Sequence, residues 1–553
     1  MLRLTTQLDG VQLDPGETLK TDWGYLQYVN LAEEEPLKVY LEISAQVNKA
    51  RSGKKPKSGW CSWYYAFEDV TQDFVMENLE WLSSHKSCAP LDLFQLDDGY
   101  EVGVGDWFDL KDSFPDGLRF LSAKIREKGM TPGIWLAPFV VKRSSAIGQD
   151  HKDWVLRNRI GLAVNPGFLW DRFPYVLDIT HPEVLAHVQN VFKYMVEEMK
   201  FEYLKLDFLY VGALIGKRHN PKLTRAQAMY KILELIRDTV GEDVDLLGCG
   251  VPLGSGIGIF DQVRIGPDVA PRWEPSHWGI NAFLDREMGH PSARNSILTT
   301  INRLPLHQSW WTNDPDCLLL RSKESLLSKA EVQTLASVIA LSGGTMMVSD
   351  HLPELEEERV GWLSKLLPLL PNAARAIDWF DTSHPSKLIM VLNGALEPWY
   401  IICLLNWSDY PQDLLLDLNE FGLQEASDYH VIDFWNERYF RMNSSTLCFP
   451  DVPAHGSRLL SLRQATSNPQ WLGDTLHISQ GLLVKNWEVE SHRLRCTLES
   501  GHEASGMAWI GVPGKISGVQ MRGEELSCFE IEPGTYRLNL GFEGITTLEA
   551  TWV

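Results

Sequence analysis

The sequence predicts an α/β protein: a (β/α)8 TIM barrel with a short N-terminal β segment and one or more antiparallel β-sandwich domains at its C-terminal side. Three observations predict it. From about residue 58 to 372 short apolar strands alternate with amphipathic helical stretches, the signature of a parallel α/β architecture. Neither GxGxxG nor GxxxxGK[ST] occurs, although a doubly wound nucleotide-binding sheet would normally carry such a turn after its first strand. Beyond Pro371-Asn372 the helical period gives way to short alternating runs with polar turns.

Taken in order, residues 1–54 hold β-like pieces such as Trp23–Val29 and Lys38–Ile43, and end in the basic, turn-rich Lys54-Lys55-Pro56-Lys57-Ser58-Gly59. Residues 55–372 form the barrel. Its predicted strands are Gly59–Trp63, Leu91–Asp97, Thr131–Ala137, Tyr203–Asp207, Val244–Cys249, Gln262–Gly266, His307–Trp311 and Thr345–Ser349. Helical periodicity marks Phe74–His85, Leu118–Lys128, Pro182–Met199, Arg225–Val240, Ser292–Arg303 and Lys329–Leu341 between them. Residues 373–465 read as a β-sandwich, with strands at Leu388–Leu392, Tyr400–Asn406, Tyr429–Phe434 and Arg458–Leu462. The polar run Arg463–Pro469 looks like a linker to an additional β-module, 466–553, expected to cover a sandwich face.

Composition narrows the function. Of 553 residues 51 are Lys or Arg and 73 Asp or Glu, a net charge of −22, which disfavours nucleic acid and anionic membranes as partners. The N-terminus lacks the basic start and apolar core of a signal peptide, and no run approaches the roughly 18 apolar residues of a membrane helix. The eight scattered cysteines contain no CxxC pair and read as reduced thiols, so a cytoplasmic protein is expected. The 21 tryptophans favour a carbohydrate site mildly, because aromatic rings pack well on the C–H faces of sugars.

In such a barrel the chemistry sits where the strands end. The period of two in Tyr203-Leu204-Lys205-Leu206-Asp207 puts Lys205 and Asp207 on one face, and an ammonium there favours the ionised carboxylate a nucleophile needs. Asp268 follows Gly266-Pro267, a turn able to hold its carboxyl over the strand ends, with Arg264 just upstream. Two carboxyls are what retaining glycoside hydrolysis demands, one attacking while the other donates and retrieves a proton. Asp97 and Asp98 close another strand and can accept several hydrogen bonds from adjacent hydroxyls. A metal is the rival reading of that pair, but no HExxH motif or histidine cluster accompanies it. Alone, each of these is more commonly a structural ion pair, a helix cap or an Asx turn.

Together the motifs resemble those of glycoside hydrolase family 36, the α-galactosidases. They run in order as Gly59-Trp60-Cys61-Ser62-Trp63-Tyr64, Phe94–Tyr100, Gly105-Asp106-Trp107, Gly129–Phe139, Lys205-Leu206-Asp207-Phe208, Gly248-Cys249-Gly250 and Arg264–Asp268. The resemblance covers residues 55–370, more weakly to about 465. It implies a double displacement with retention and no metal or other cofactor. Asp207 would be the nucleophile and Asp268 the acid/base. Asp97 and Asp98 would bind the sugar O4 and O6 region, and Lys205 and Arg264 the other hydroxyls. Cys249 would line the pocket, with Trp63 and Trp135 as apolar walls. Only the tail of the family's N-terminal β-sandwich has a counterpart, so the aglycone side and a possible homo-oligomer stay open. The implied partner is a small α-galactoside. α-N-Acetylgalactosaminide cleavage is the nearest alternative, with room around Cys249 and Gly254-Ser255-Gly256. Galactosyl transfer of the raffinose-synthase type and a non-catalytic sugar binder are the others.

Overall fold

The computed structural model describes residues 4–21, 24–31, 33–167, 169–170, 173–276, 288–423 and 428–553. Its fold class is the expected one, a (β/α)8 barrel followed by antiparallel sheets. The chain divides into two compact units, 1–79 with 92–265 and 308–314, and 80–91 with 266–307 and 315–553.

In the first unit seven parallel strands lie side by side in chain order: β1 Ser58–Cys61, β2 Leu93–Leu96, β3 Thr131–Leu136, β4 Tyr203–Leu206, β5 Asp245–Gly248, β6 Gln262–Arg264 and β7 Thr312–Asp314. All but one of their residues are buried, as in a parallel sheet covered on both faces, and polar residues such as Gln95, Lys205, Gln262, Arg264 and Asp314 are buried among the apolar ones. The helix Arg225–Val240 starts where the sequence placed it. Thr224 and Gln227 form a capping box that satisfies two of its orphan N–H groups.

Two expectations are corrected here. The N-terminal β segment is not β: Lys38–Val47 is a helix, and the described part of the Trp23–Val29 piece, residues 24–29, has no regular structure, while Trp23 lies outside the described residues. Alternation across six residues also suits a helix that buries only one position. Leu41 is that position, and the helix is pinned where Trp310 Nε1 donates to Ser44 Oγ at 2.8 Å. The strand expected at His307–Trp311 lies just after it, at β7. Gln308 adopts φ 59° and its N–H closes a turn on the Trp311 carbonyl, so the apolar Trp310-Trp311 pair precedes the strand.

The second unit holds two further parallel strands, β8 Cys317–Leu318 and β9 Met346–Val348, paired in register Cys317↔Met347. Pro315, which has no N–H, and Asp316 at φ 81° separate β8 from β7, so among the described residues nine short parallel strands stand where eight are expected. The helix Lys329–Leu341 is capped by a Ser328/Glu331 box. An antiparallel six-stranded sheet packs on the pair Gln412–Asp417 and Thr446–Val452 over a core including Ile402, Leu404, Leu416, Val431, Leu460 and Leu462.

The last 85 or so residues are dominated by two long strands, Arg493–Gly511 and Thr535–Trp552, paired from Arg493↔Thr551 to Gly511↔Thr535. The apolar alternation of the sequence predicts four shorter strands there, Arg493–Leu498, Met507–Val512, Thr535–Gly541 and Thr546–Val553, because a polar kink near residues 500–504 and the turn glycine Gly544 interrupt it. The predicted linker is short and anchored: the strand Ser457–Gln464 takes in its first two residues, and Ala465 N–H bonds to Asp428 O at 2.8 Å. Gly473 lies so near the sandwich that a Cβ would stand 2.7 Å from Ile432 and 2.8 Å from Ser461. Among the described residues no helix is long and apolar enough to cross a membrane.

Candidate active site

Within the first unit, alternate residues of the parallel strands turn polar side chains to one interior. Tyr203 donates its hydroxyl to Gln262 Oε1 at 3.1 Å, forming one layer. One step along each strand toward the C-terminal ends stand Lys205 and Arg264, then Asp207.

Lys205 organises this end. Its ammonium donates to Asp97 Oδ2 at 2.9 Å and stands 4.0 Å from Asp207 Oδ2. The same Asp97 oxygen accepts from Gln95 Nε2 at 2.7 Å and from Cys61 Sγ at 3.4 Å, while Asp97 N–H donates to Ser62 Oγ. Burial works against the lysine's charge, as does Arg264, but the carboxylates of Asp97 and Asp207 outweigh both and hold its pKa well above the ordinary value. Lys205 is a firm cation.

Asp207 follows β4 directly. Its N–H bonds to Leu136 O, and the chain then turns sharply through Phe208 in the left-handed region. That turn aims the Phe208 N–H at Asp207 Oδ1 (2.6 Å), and Trp135 Nε1 donates to Oδ2 (3.1 Å). Both carboxylate oxygens are therefore held, with 17% of the side chain left accessible. Trp135, expected as an apolar wall, is here a hydrogen-bond donor to Asp207.

Asp98 accepts from Trp170 Nε1 at 2.8 Å. Burial, then the anion and hydrogen bond of Glu101, raise its pKa well above the carboxylate range, so Asp98 is the neutral member of the pair and donates to Glu101. Glu101 is also raised, chiefly by burial, and is 2% exposed. Trp107, Trp135 and Trp170 meet edge to face, with centroids 5.9 and 6.2 Å apart. Arg264 is buried and donates from Nε to Asp314 Oδ2 at 3.0 Å. Cys249, 7% exposed, caps β5 and ties it to β4 through its N–H on Leu206 O.

The predicted residues thus meet in large part. Asp97, Asp98, Lys205, Asp207 and Trp135 form one connected network, and Arg264 acts electrostatically on Lys205. Trp63 opens a short helix after β1 and meets Phe67 edge on. Asp268 belongs to the second unit, four residues beyond β6, and is half-buried. Its carbonyl accepts from Ser292 N–H, and the next N–H, of Val269, donates to the buried Asp316 at 2.7 Å, so the backbone is held on both sides. Ser255, in the loop expected to give room for an N-acetyl group, lines a separate cavity with Thr6–Asp9 and Arg225–Gln227, and Gly256 packs on Phe260 and Trp311. Sequence reasoning missed Glu101, Gln95, Trp170 and Asp314. Asp314 closes β7, which the sequence placed too early; Glu101 and Gln95 flank the Asp97-Asp98 pair already singled out. Among the described residues no group of three His, Cys, Asp or Glu side chains could hold a metal ion.

A parallel barrel whose strand ends gather carboxylates around one lysine and a tryptophan cluster is of the glycoside-hydrolase class. The comparisons narrow that class. The melibiase family profile matches residues 62–245. An α-galactosidase from Thermus thermophilus, solved with stachyose, is 32% identical and superposes with a TM-score of 0.53 over 60% of this chain and 69% of its own. The chain belongs to the melibiase family, the α-galactosidases of glycoside hydrolase family 36. α-Galactosidase 1 of Pediococcus pentosaceus is 22% identical over 76% of this chain and 56% of its own length. α-Galactosidase 2 of that organism is 24% identical over 40% of this chain and 30% of its own. The chain thus spans between about a quarter and just over half of the curated relatives matched first. A β-L-arabinopyranosidase from Geobacillus stearothermophilus, 16% identical with a TM-score of 0.57 over 77% of this chain and 99% of its own, shares the fold.

Proposed function

We propose that this protein releases terminal α-galactosyl residues from small α-galactosides by double displacement with retention of configuration. The observation that carries the reading is Asp207: a carboxylate beside a buried, firmly charged lysine, with one oxygen on a backbone N–H and the other on an indole N–H. Donors so placed fix the direction from which the carboxylate attacks. In the first step an Asp207 oxygen bonds to the anomeric carbon while Asp268 protonates the departing glycosidic oxygen. In the second, Asp268 takes a proton from water, whose oxygen displaces Asp207. Asp97, with Lys205 beside it, and the neutral Asp98 are the groups for an axial hydroxyl and its neighbour. A carboxylate acceptor and a carboxylic donor side by side suit the 4-hydroxyl and the 6-hydroxyl near it.

Residues 55–372 are then the catalytic domain, and the remainder supports it. All eight cysteines are thiols, which fits the cytoplasmic placement. The test is initial rates on p-nitrophenyl α-galactoside and p-nitrophenyl α-N-acetylgalactosaminide, with Asp207→Ala as control and the first-formed sugar anomer followed by NMR. Release from the galactoside as the α-anomer, abolished in the variant, is expected. Hydrolysis that survives Asp207→Ala, or a β-anomer product, would overturn the mechanism; preference for the N-acetyl sugar would overturn the substrate.

A further inference from the structure

Far along the chain from the strand ends of the barrel, a cleft of about 520 Å3 lies where the strand Trp399–Leu405, the strand Ser457–Gln464 and the C-terminal module come together. Arg463, Trp471, Trp487 and Glu397 are among the residues that line it. Arg463 is the unusual member. It is 5% exposed, its guanidinium lies 4.3 Å above the ring of Trp399, and Nη2 donates to Gln480 O at 2.7 Å. Its Nε is buried without a hydrogen-bond partner, and among the described residues no carboxylate lies within ion-pairing distance of it. Asp474 acts on it from farther off, while that carboxyl accepts Trp471 Nε1 and two backbone N–H groups.

Burying a guanidinium with so little compensation costs stability. The chain nevertheless makes room for it: a Cβ on Gly481 would stand 2.5 Å from Arg463 Nη2 and 3.1 Å from Trp399, so a side chain at 481 would displace the guanidinium from its place. Beside it Trp487 is half-buried, its indole body on the module core. Glu397 is exposed, and among the described residues no hydrogen bond or ion pair engages its carboxylate, which leaves it available as an acceptor. One fixed donor fork, one acceptor and aromatic surface around a cavity of this size suit a polyhydroxylated ring. A neutral one is favoured over an anion, since the protein carries −22 and Glu397 offsets Arg463 locally.

We propose that this cleft is a second saccharide site, separate from the barrel chemistry. Trp487 takes the C–H face of a neutral pyranose while Arg463 donates to, and Glu397 accepts from, its hydroxyls. The C-terminal module is thereby a binding element and not only a cover for the sandwich. The test is equilibrium dialysis of radiolabelled galactose, melibiose and raffinose against the full chain carrying Asp207→Asn, with and without Trp487→Ala or Glu397→Gln. At least one sugar should show a saturable component that each added substitution weakens about tenfold or more, as loss of one stacking or hydrogen-bonding contact implies. Trp487→Ala in the otherwise native chain should leave kcat/KM on p-nitrophenyl α-galactoside within twofold. Isotherms for all three sugars unmoved by either substitution would overturn the proposal. Free galactose accumulating in the dialysate would instead count against the role of Asp207 and leave the cleft's isotherms to be read with galactose itself.

Discussion

Replacing Lys205 with methionine keeps the stem and deletes the charge on which the site is built. The ammonium touches Asp97 at 2.9 Å and stands 4.0 Å from Asp207, with 5% of the lysine side chain and 2% of that of Asp97 exposed. At an effective dielectric of about 20, each contact carries about 4–6 kcal/mol of direct attraction. Most of that is offset by the cost of drawing the charges out of water, so the pair contributes little net stability. Removing one member is different, because it strands the other: breaking a buried pair costs about 3–5 kcal/mol. Lys205→Met and Asp97→Asn should therefore each lower the unfolding free energy by about 3–5 kcal/mol in urea denaturation followed by circular dichroism. The double variant should lose much less than the sum, with a coupling on the order of 2 kcal/mol. Activity should behave otherwise. Each single variant is expected to lose about a hundredfold or more in kcat/KM on p-nitrophenyl α-galactoside, with no recovery in the double variant, because a restored fold does not restore the charge. Strictly additive stability losses would refute the pairing, and recovery of rate in the double variant would refute the functional role.

Asp98→Asn should behave unlike its neighbour. Asp98 is already neutral, and an amide can both accept from Trp170 and donate to Glu101, so the stability loss should stay under about 1 kcal/mol while KM for galactosides rises; a loss equal to that of Asp97→Asn would show Asp98 to be ionised. His477 is fully buried, with Nδ1 facing the Ser479 hydroxyl (2.7 Å) and N–H and Nε2 facing the Pro368 carbonyl (2.8 Å), and burial lowers its pKa to about 4. A depressed histidine pKa stabilises the fold above the unfolded value near 6.5 and loses that contribution as pH falls toward 4, here up to about 3 kcal/mol. The stability advantage of the native chain over His477→Gln should accordingly narrow by about 3 kcal/mol between pH 7.5 and pH 4 in denaturant titrations; a gap constant with pH would exclude the assignment.

Most of the barrel was legible because its elements advertise themselves at several levels at once. Arg225–Val240 and Lys329–Leu341 begin where a capping box precedes an apolar period, and β2, β4 and β5 are apolar runs bounded by polar turns. Where only one level spoke, the reading slipped. Lys38–Ile43 alternates like a strand but buries a single leucine, and nothing local distinguishes that from a helix held by the distant Trp310. Trp310-Trp311 looks like strand core, yet the left-handed backbone at Gln308, carried by a residue with no glycine signature, turns the chain first. The long strands of the module were cut short because their apolar alternation lapses at the kink near 500–504 while the pairing continues beyond it.

The site divides along the same line. Residues at strand ends, Asp97, Asp98, Lys205 and Asp207, could be named because strand periodicity fixes which way they point, and a motif in order supplies the rest. Their supporting partners could not. Trp170 arrives from a long connection, Cys61 from β1 and Ser62 from just after it, and Asp314 from β7, none of them near their partners in sequence. Glu101 lay three residues from Asp98, but its significance is electrostatic: an exposed glutamate there would be ordinary, and only burial beside a second carboxyl forces the pair to share a proton. Charge states in the site therefore depend on who is buried with whom. That is why the sequence could single out the Asp97-Asp98 pair but not foresee that burial beside Glu101 raises the pKa of Asp98 while Asp97, one residue away, is bonded to the Lys205 ammonium.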